Sequence, residues 1–307
     1  MRRIKVTMPF YEIRVSLTGK CNHKCIYCGP FSDGKVDKGY GELSLDQIKE
    51  LSPSLKELGL HVQLTGGEPT LRKDLIKIVQ ILNYSGVNNL GLTTNGSRIT
   101  PNYIQKLLNA GISDIHIHLP SLDYEIFRKT TQDKREKVVD RIRETALYLK
   151  EKNQRIEFNT PVTSINLRAI PQLINFCYAN KINLKLIEEV NLVGKQINEK
   201  QITKLLKTWF ENNRLSLDKT KVDKKYGHVY NLGDFYFRIA PVTKGLVNFL
   251  NGESETILYD GRYWIGGRKK EFMFTPSCFL NPKVGSFEDL ERNLNETIQI
   301  YRDHEKE

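Results

Sequence analysis

Between residues 12 and about 190, short apolar runs alternate with helix-patterned stretches, and nothing else in the chain limits the fold as strongly. Residues 13–17, 61–65, 89–94, 114–119, 156–160 and 184–188 read as strands, rich in β-branched and apolar side chains. The stretches between them carry apolar residues at helical spacing, as in Leu75, Ile76, Val79 and Leu82. One helix is marked at both ends: Thr100 can cap it, Pro101 takes the first helical position and Gly111 follows the last turn. Strands that alternate with helices pair in parallel through right-handed crossovers. The expected fold class is therefore α/β, a partial (β/α)6 TIM-like barrel over residues 1–190. Beyond residue 190 the rhythm breaks. A helix is expected over 199–212, a polar loop over 219–227, strands over 235–239 and 256–259, a turn at Asp260-Gly261 and a closing helix over 287–301. Residues 191–307 are read as a C-terminal α+β extension that closes the barrel on the substrate side.

In parallel α/β folds, active sites gather at the C-terminal ends of the strands. Polar and glycine-rich clusters fall at those ends here: Gly66-Gly67-Glu68, Thr94-Asn95-Gly96, His118, Asn159-Thr160 and Glu188. On the fourth strand His116 and His118 alternate with Ile115 and Ile117, so both histidines are expected to point into the barrel.

The loop after the first strand carries Cys21, Cys25 and Cys28. Thiolates are soft ligands suited to zinc or iron–sulfur clusters, and such sites ordinarily take four protein ligands. Three cysteines on a cubane cluster would leave one iron open for chemistry. The competing reading is zinc with His23 as fourth ligand, although His23 lies between two of the cysteines. Cys177, in an apolar helical run with Leu173 and Ile174, is read as a core residue.

The chain has five cysteines in 307 residues, three of them in this one loop. That is no secreted disulfide framework; a reducing, cytoplasmic setting is expected. Neither a signal peptide nor a membrane segment is expected, because no long apolar run occurs. The 47 Lys and Arg residues outnumber 36 acids, but the two signs are mixed along the chain. Such mixing marks solvated helix faces, with a mild preference for anionic small molecules; nucleic acid is not an expected partner.

Taken together, the cysteine loop, Leu64-Thr65-Gly66-Gly67-Glu68-Pro69-Thr70-Leu71-Arg72, Thr93-Thr94-Asn95-Gly96, Leu119-Pro120-Ser121-Leu122-Asp123, Asn159-Thr160 and Ile187-Glu188 resemble the radical S-adenosylmethionine (SAM) superfamily. Within it the chain resembles the GTP 3′,8-cyclases of molybdenum-cofactor biosynthesis, over residues 12 to about 190. The resemblance implies one [4Fe–4S] cluster on Cys21, Cys25 and Cys28, with the fourth iron chelating SAM. It implies SAM contacts from Tyr27, Gly66, Gly67, Glu68, Thr94, Asn95, His118, Asn159 and Val190, with the glycines allowing close backbone approach to the ligand. Substrate contacts are expected from Arg14, Gln63, Arg72, His116, Glu157 and Glu188. An external one-electron reductant such as flavodoxin or ferredoxin is implied, and a 5′-deoxyadenosyl radical that abstracts hydrogen from substrate.

The chain departs from the cyclases in its tail. The family's second cluster needs a Cys-x-x-Cys pair and a later cysteine; here residues 245–250 occupy about the place of the pair and only Cys278 remains. Gln63 and Glu157 stand where the family has an arginine and a lysine for substrate phosphates, which is expected to repel a triphosphate. The expected function is therefore a radical SAM enzyme acting on a small polar substrate (a nucleoside, sugar or amino acid derivative) in natural-product or cofactor biosynthesis. A peptide-modifying maturase and a non-catalytic metal-binding protein are the alternatives.

Overall fold

The computed structural model describes residues 4–6, 12–28, 41–188, 197–215, 220–223, 227–240, 257–259, 262–268, 271–275 and 283–304. After β1 (Ile4–Val6), strands β2 (Glu12–Ser16), β3 (His61–Thr65), β4 (Leu90–Thr94), β5 (Ile112–His118), β6 (Arg155–Val162) and β7 (Asn183–Glu188) lie side by side in chain order, all parallel. Helices α1 (Leu45–Leu58), α2 (Leu75–Tyr84), α3 (Pro101–Ala110), α4 (Tyr124–Thr131), α5 (Val138–Glu151) and α6 (Ile170–Ala179) fill the crossovers. The expected α/β barrel core is present.

Local chemistry sets the helix ends. Ser44 and Gln47 form a capping box at the start of α1, and Gly59 ends it in the left-handed conformation at φ 61°. Thr100 caps α3 by accepting from the Tyr103 amide, with Pro101 in the first turn, as expected. Helix α4 was not expected; it is short, and Asp123 caps it by accepting from the Ile126 amide.

Each core strand turns one face to the helices and one inward. Ile13, Val15, Val62, Leu64, Leu92, Ile115, Ile117, Phe158, Leu184 and Leu186 are buried in the layer beneath the helices. Burial of one such side chain contributes roughly 1.5–3 kcal/mol. The opposite face carries Arg14, Gln63, Thr93, His116, His118, Glu157, Asn159 and Lys185, so the two histidines share the inner face.

After α7 (Glu199–Asn212) come β8 (Thr220–Asp223), β9 (Gly227–Asn231), β10 (Tyr236–Ala240), β11 (Ile257–Tyr259), β12 (Arg262–Arg268), β13 (Glu271–Thr275), β14 (Lys283–Gly285) and α8 (Phe287–His304). The tail continues the core sheet at both edges. Strand β10 pairs parallel with β7, and β12 pairs parallel with β2, giving a 12-stranded sheet ordered β14-β13-β12-β2-β3-β4-β5-β6-β7-β10-β9-β8. The polar loop expected over 219–227 is corrected: it contains β8, antiparallel to β9 at the sheet edge, where lysine is a common resident. β11 pairs parallel with β1. Phe237 packs edge-on to Trp209 at 5.7 Å and to Phe235 at 5.8 Å, tying β10 to α7; such ring pairs add about 0.5–1.5 kcal/mol each beyond burial. The turn at Asp260-Gly261, residues 245–250 and Cys278 lie outside the described residues. Among the described residues, no helix is long and apolar enough to cross a membrane.

Candidate active site

The Gly66-Gly67-Glu68 turn is zipped onto the entry of the cysteine loop. The Gly67 amide donates to Thr18 O at 2.7 Å and the Glu68 amide to Lys20 O at 2.8 Å. A Cβ on Gly67 would stand 2.3 Å from Lys20 O, and one on Gly66 2.5 Å from Thr18 O, with Gly66 at φ 144°. The close approach expected of these glycines is thus made by the chain's own backbone. They set where the cysteine loop starts.

Beyond that entry, two further elements hold the loop. The amides of Lys24 and Ile26 donate to Thr131 O and Thr130 O at the end of α4, at 3.0 and 2.9 Å. His23, buried, places Nε2 2.7 Å from Asp133 Oδ2 and turns its ring edge to Phe127. That ring nitrogen of His23, the fourth ligand under the zinc reading, is committed to Asp133, which Arg135 also grips. On the other side Asn22 and Ser97 exchange a hydrogen bond of 2.9 Å, and Asn95 donates to Asn22 Oδ1 at 2.8 Å. Burial pushes the Cys21 thiol up, and the Cys25 thiol up to about 12. The hydroxyl of Tyr27 is buried beside Cys25.

Glu68 lies under this loop, fully buried. Its Oε1 accepts from the Thr70 amide (3.0 Å), the Thr70 hydroxyl (2.5 Å) and the Thr94 hydroxyl (2.7 Å); its Oε2 accepts from the Asn95 amide (2.6 Å). Burial raises the carboxyl's pKa against the pull of these donors. Thr94 and Asn95 thus serve Glu68 and the loop.

The inner wall is a charged network. Glu157 accepts from Arg238 Nη2 at 2.6 Å and from the Tyr236 hydroxyl at 2.9 Å, and His116 Nε2 is 4.0 Å away. Burial would raise Glu157, but the charges of Arg238, His116 and Lys185 outweigh it and hold the carboxyl at about 2. The repulsion of a triphosphate expected from Glu157 is weakened here, because Arg238, from the tail, pairs with it. His116 also meets Asp114 at 3.0 Å. Gln63 donates to Thr93 Oγ1 and is within 2.7 Å of His61 Nε2. Arg14 pairs with Glu12 at 3.0 Å. Arg72, expected at the substrate, is corrected: its guanidinium donates to both Asp74 oxygens and to the carbonyls of Leu17 and Leu43, bracing the loop entry. Glu188 accepts from the Glu199 amide at 3.0 Å and so serves the start of α7. Val190 lies outside the described residues.

His118, the last residue of β5, stands opposite Asn159 of β6. Among the described residues, neither the buried His118 Nδ1 nor the buried Asn159 Oδ1 has a hydrogen-bond partner. Burial, reinforced by Arg14 and Lys185, lowers the His118 pKa to about 3, so its imidazole is neutral. Buried polar atoms are ordinarily paired, so two adjacent orphans point to a ligand that completes them. Among the described residues no three His, Cys, Asp or Glu side chains converge on a single-ion site. A cubane makes no such demand, since each thiolate takes its own iron. The thiols, the spare lone pair on Glu68 Oε2 and the two orphans fit a cluster with a polar coligand.

The fold and this arrangement define a parallel α/β partial barrel whose polar centre lies at the C-terminal strand ends beside a three-cysteine loop. The family model for the radical SAM superfamily matches residues 15–185, and the chain belongs to that superfamily. It is similar to the probable GTP 3′,8-cyclase of Sulfolobus acidocaldarius, with 35% identity over 185 residues, 60% of this chain and 57% of that protein. The chain therefore spans little more than half of that relative's length. Among solved structures it is similar in fold to tagged anSMEcpe with bound AdoMet, with TM-score 0.63, 17% identity, and coverage of 95% of this chain and 82% of that one. It is also similar in fold to SuiB of Streptococcus suis bound to S-adenosylmethionine, with TM-score 0.59, 16% identity, and coverage of 78% and 52%.

Several site residues escaped the sequence reading: Asn22, Asp133, Lys185, Tyr236 and Arg238. For the last two a signal existed. Tyr236 and Arg238 alternate with Phe237 and Ile239, an inward polar face on an apolar strand. Asp133 carries no comparable mark, because its role depends on a histidine 110 residues away.

Proposed function

We propose that this chain is a radical SAM enzyme with a single [4Fe–4S] cluster on Cys21, Cys25 and Cys28, acting on a small polar substrate. The observation that carries the reading is the meeting of the cysteine loop, the buried Glu68 carboxylate and the orphaned His118 and Asn159 atoms at one end of the barrel. When bound, such a cluster supplies the electron that cleaves SAM to a 5′-deoxyadenosyl radical. Glu68 holds the SAM ammonium through Oε2, which has one donor, the Asn95 amide, among the described residues. His118, neutral, and Asn159 complete their hydrogen bonds on the cofactor's polar groups. Arg14, Gln63, His116, Glu157, Arg238 and Lys185 form the substrate wall, whose mixed charges and hydrogen-bonding groups suit a small polar molecule.

The tail closes the barrel on the substrate side and brings Arg238 and Tyr236 to Glu157. It retains one cysteine of the set a second cluster would need. A cytoplasmic setting and an external one-electron donor of the flavodoxin or ferredoxin kind complete the reading. Anaerobic reconstitution with iron and sulfide tests the cluster count. About four irons per chain are expected, falling sharply in Cys25→Ser; about eight would contradict a single cluster, and none would contradict the cluster itself.

A further inference from the structure

Asn95 touches both halves of the candidate centre. Its backbone amide donates to Glu68 Oε2 at 2.6 Å. Its side-chain Nδ2 faces the cysteine loop, 2.8 Å from Asn22 Oδ1 and 3.7 Å from the sulfur of Cys21, within reach of a hydrogen bond to that larger atom. Its Oδ1 accepts from the Ser97 amide at 2.9 Å, a local turn that fixes the side chain's direction. The residue is 7% exposed, so its contacts are shielded from water. Cys21 receives a second donor, the His23 amide at 3.4 Å. The Cys21 sulfur thus has two N–H donors within reach.

We propose that Asn95 is a positioning and tuning residue: its amide fixes the Cys21 sulfur relative to the Glu68 carboxylate and sets the reduction potential of a cluster bound there. This rests on the reading of Cys21 as a cluster ligand. The physical ground is that hydrogen bonds to ligand sulfur stabilise the extra negative charge of the reduced cluster. Loss of the donor therefore shifts the potential to more negative values. A residue that only held the turn would leave the potential unmoved.

Two substitutions separate these roles. In Asn95→Ser the hydroxyl can still accept from the Ser97 amide, as serine does in such turns, but cannot reach Cys21. Asn95→Asp is isosteric, keeps the turn and replaces the donor with an acceptor. Reconstituted wild type and both variants are assayed for iron content, thermal unfolding and midpoint potential by redox titration. Wild-type iron content with a more negative potential in both variants, larger for Asn95→Asp, is the expected result. Wild-type potential in whichever variants bind iron, or restoration of the wild-type potential by serine alone, overturns the proposal. Loss of cluster binding by both variants also overturns the tuning role. Failure of the wild-type chain itself to take up a cluster sinks the underlying reading instead, so the two failures are told apart.

Discussion

At the scale of single residues, packing at Gly67 and charge at Glu157 give the clearest consequences. Gly67→Ala forces a methyl into the Lys20 carbonyl, and the loop entry must move. Overpacking of this kind costs about 1–3 kcal/mol. The expected outcome is a lower melting temperature and reduced iron uptake; wild-type uptake would show that the loop tolerates displacement. At Glu157 the folded carboxyl stands at about 2 against an ordinary 4.5. Its ion pair therefore adds stability that is fully present above the unfolded pKa and is lost as pH falls toward 2. Glu157→Gln should flatten acid unfolding between about pH 5 and 2, as followed by circular dichroism. Arg238→Met should also destabilise the fold, because it takes the nearest cation from a buried carboxylate and leaves it Tyr236 and the more distant His116, at a cost of about 1–3 kcal/mol; wild-type thermal stability in this variant would show that the pair contributes nothing.

At the scale of elements, the cysteine loop is held by its neighbours more than by itself. Helix α4 takes two loop amides, and Asp133 just beyond it takes His23. Asp133→Ala should cost about 1–3 kcal/mol through the groups left without partners, and should raise the rate of iron loss to a chelator. An unchanged rate would mean that the α4 anchor is dispensable. Much of this local design was legible in the sequence. The strand ends, the capped helix at Thr100-Pro101 and the inward pair His116 and His118 follow from periodicity and capping chemistry. Helix α4, Asp133 and the edge strand β8 were not legible. Asp133 and the end of α4 gain their roles from the cysteine loop, distant in sequence, whereas periodicity reports only on near neighbours; β8 pairs with the adjacent β9, but is four residues long and largely polar, so no apolar pattern marks it. The glycine turn was legible as a close approach, but not what approached it: the backbone of residues 18–20.

At the scale of the whole molecule, the tail is part of the barrel's construction. Strands β10 and β12 cover both edges of the parallel core, and the Trp209–Phe237 contact joins α7 to β10. Truncation after residue 215 would bare the edges of β2 and β7 and strip Arg238 from Glu157. Such edges are prone to pair with other chains. The truncated chain is expected to aggregate or unfold without a cooperative transition in calorimetry, whereas a soluble, cooperatively folding product would establish an independent core.

The claim on which everything else depends is that the loop, Glu68 and the barrel mouth cleave SAM. The direct measurement is 5′-deoxyadenosine formed by the anaerobically reconstituted chain with SAM and dithionite, compared with Cys25→Ser. The account predicts 5′-deoxyadenosine from the wild-type chain and none above background from the variant. A fully reconstituted wild-type chain that forms none, with or without candidate small polar substrates, would contradict it.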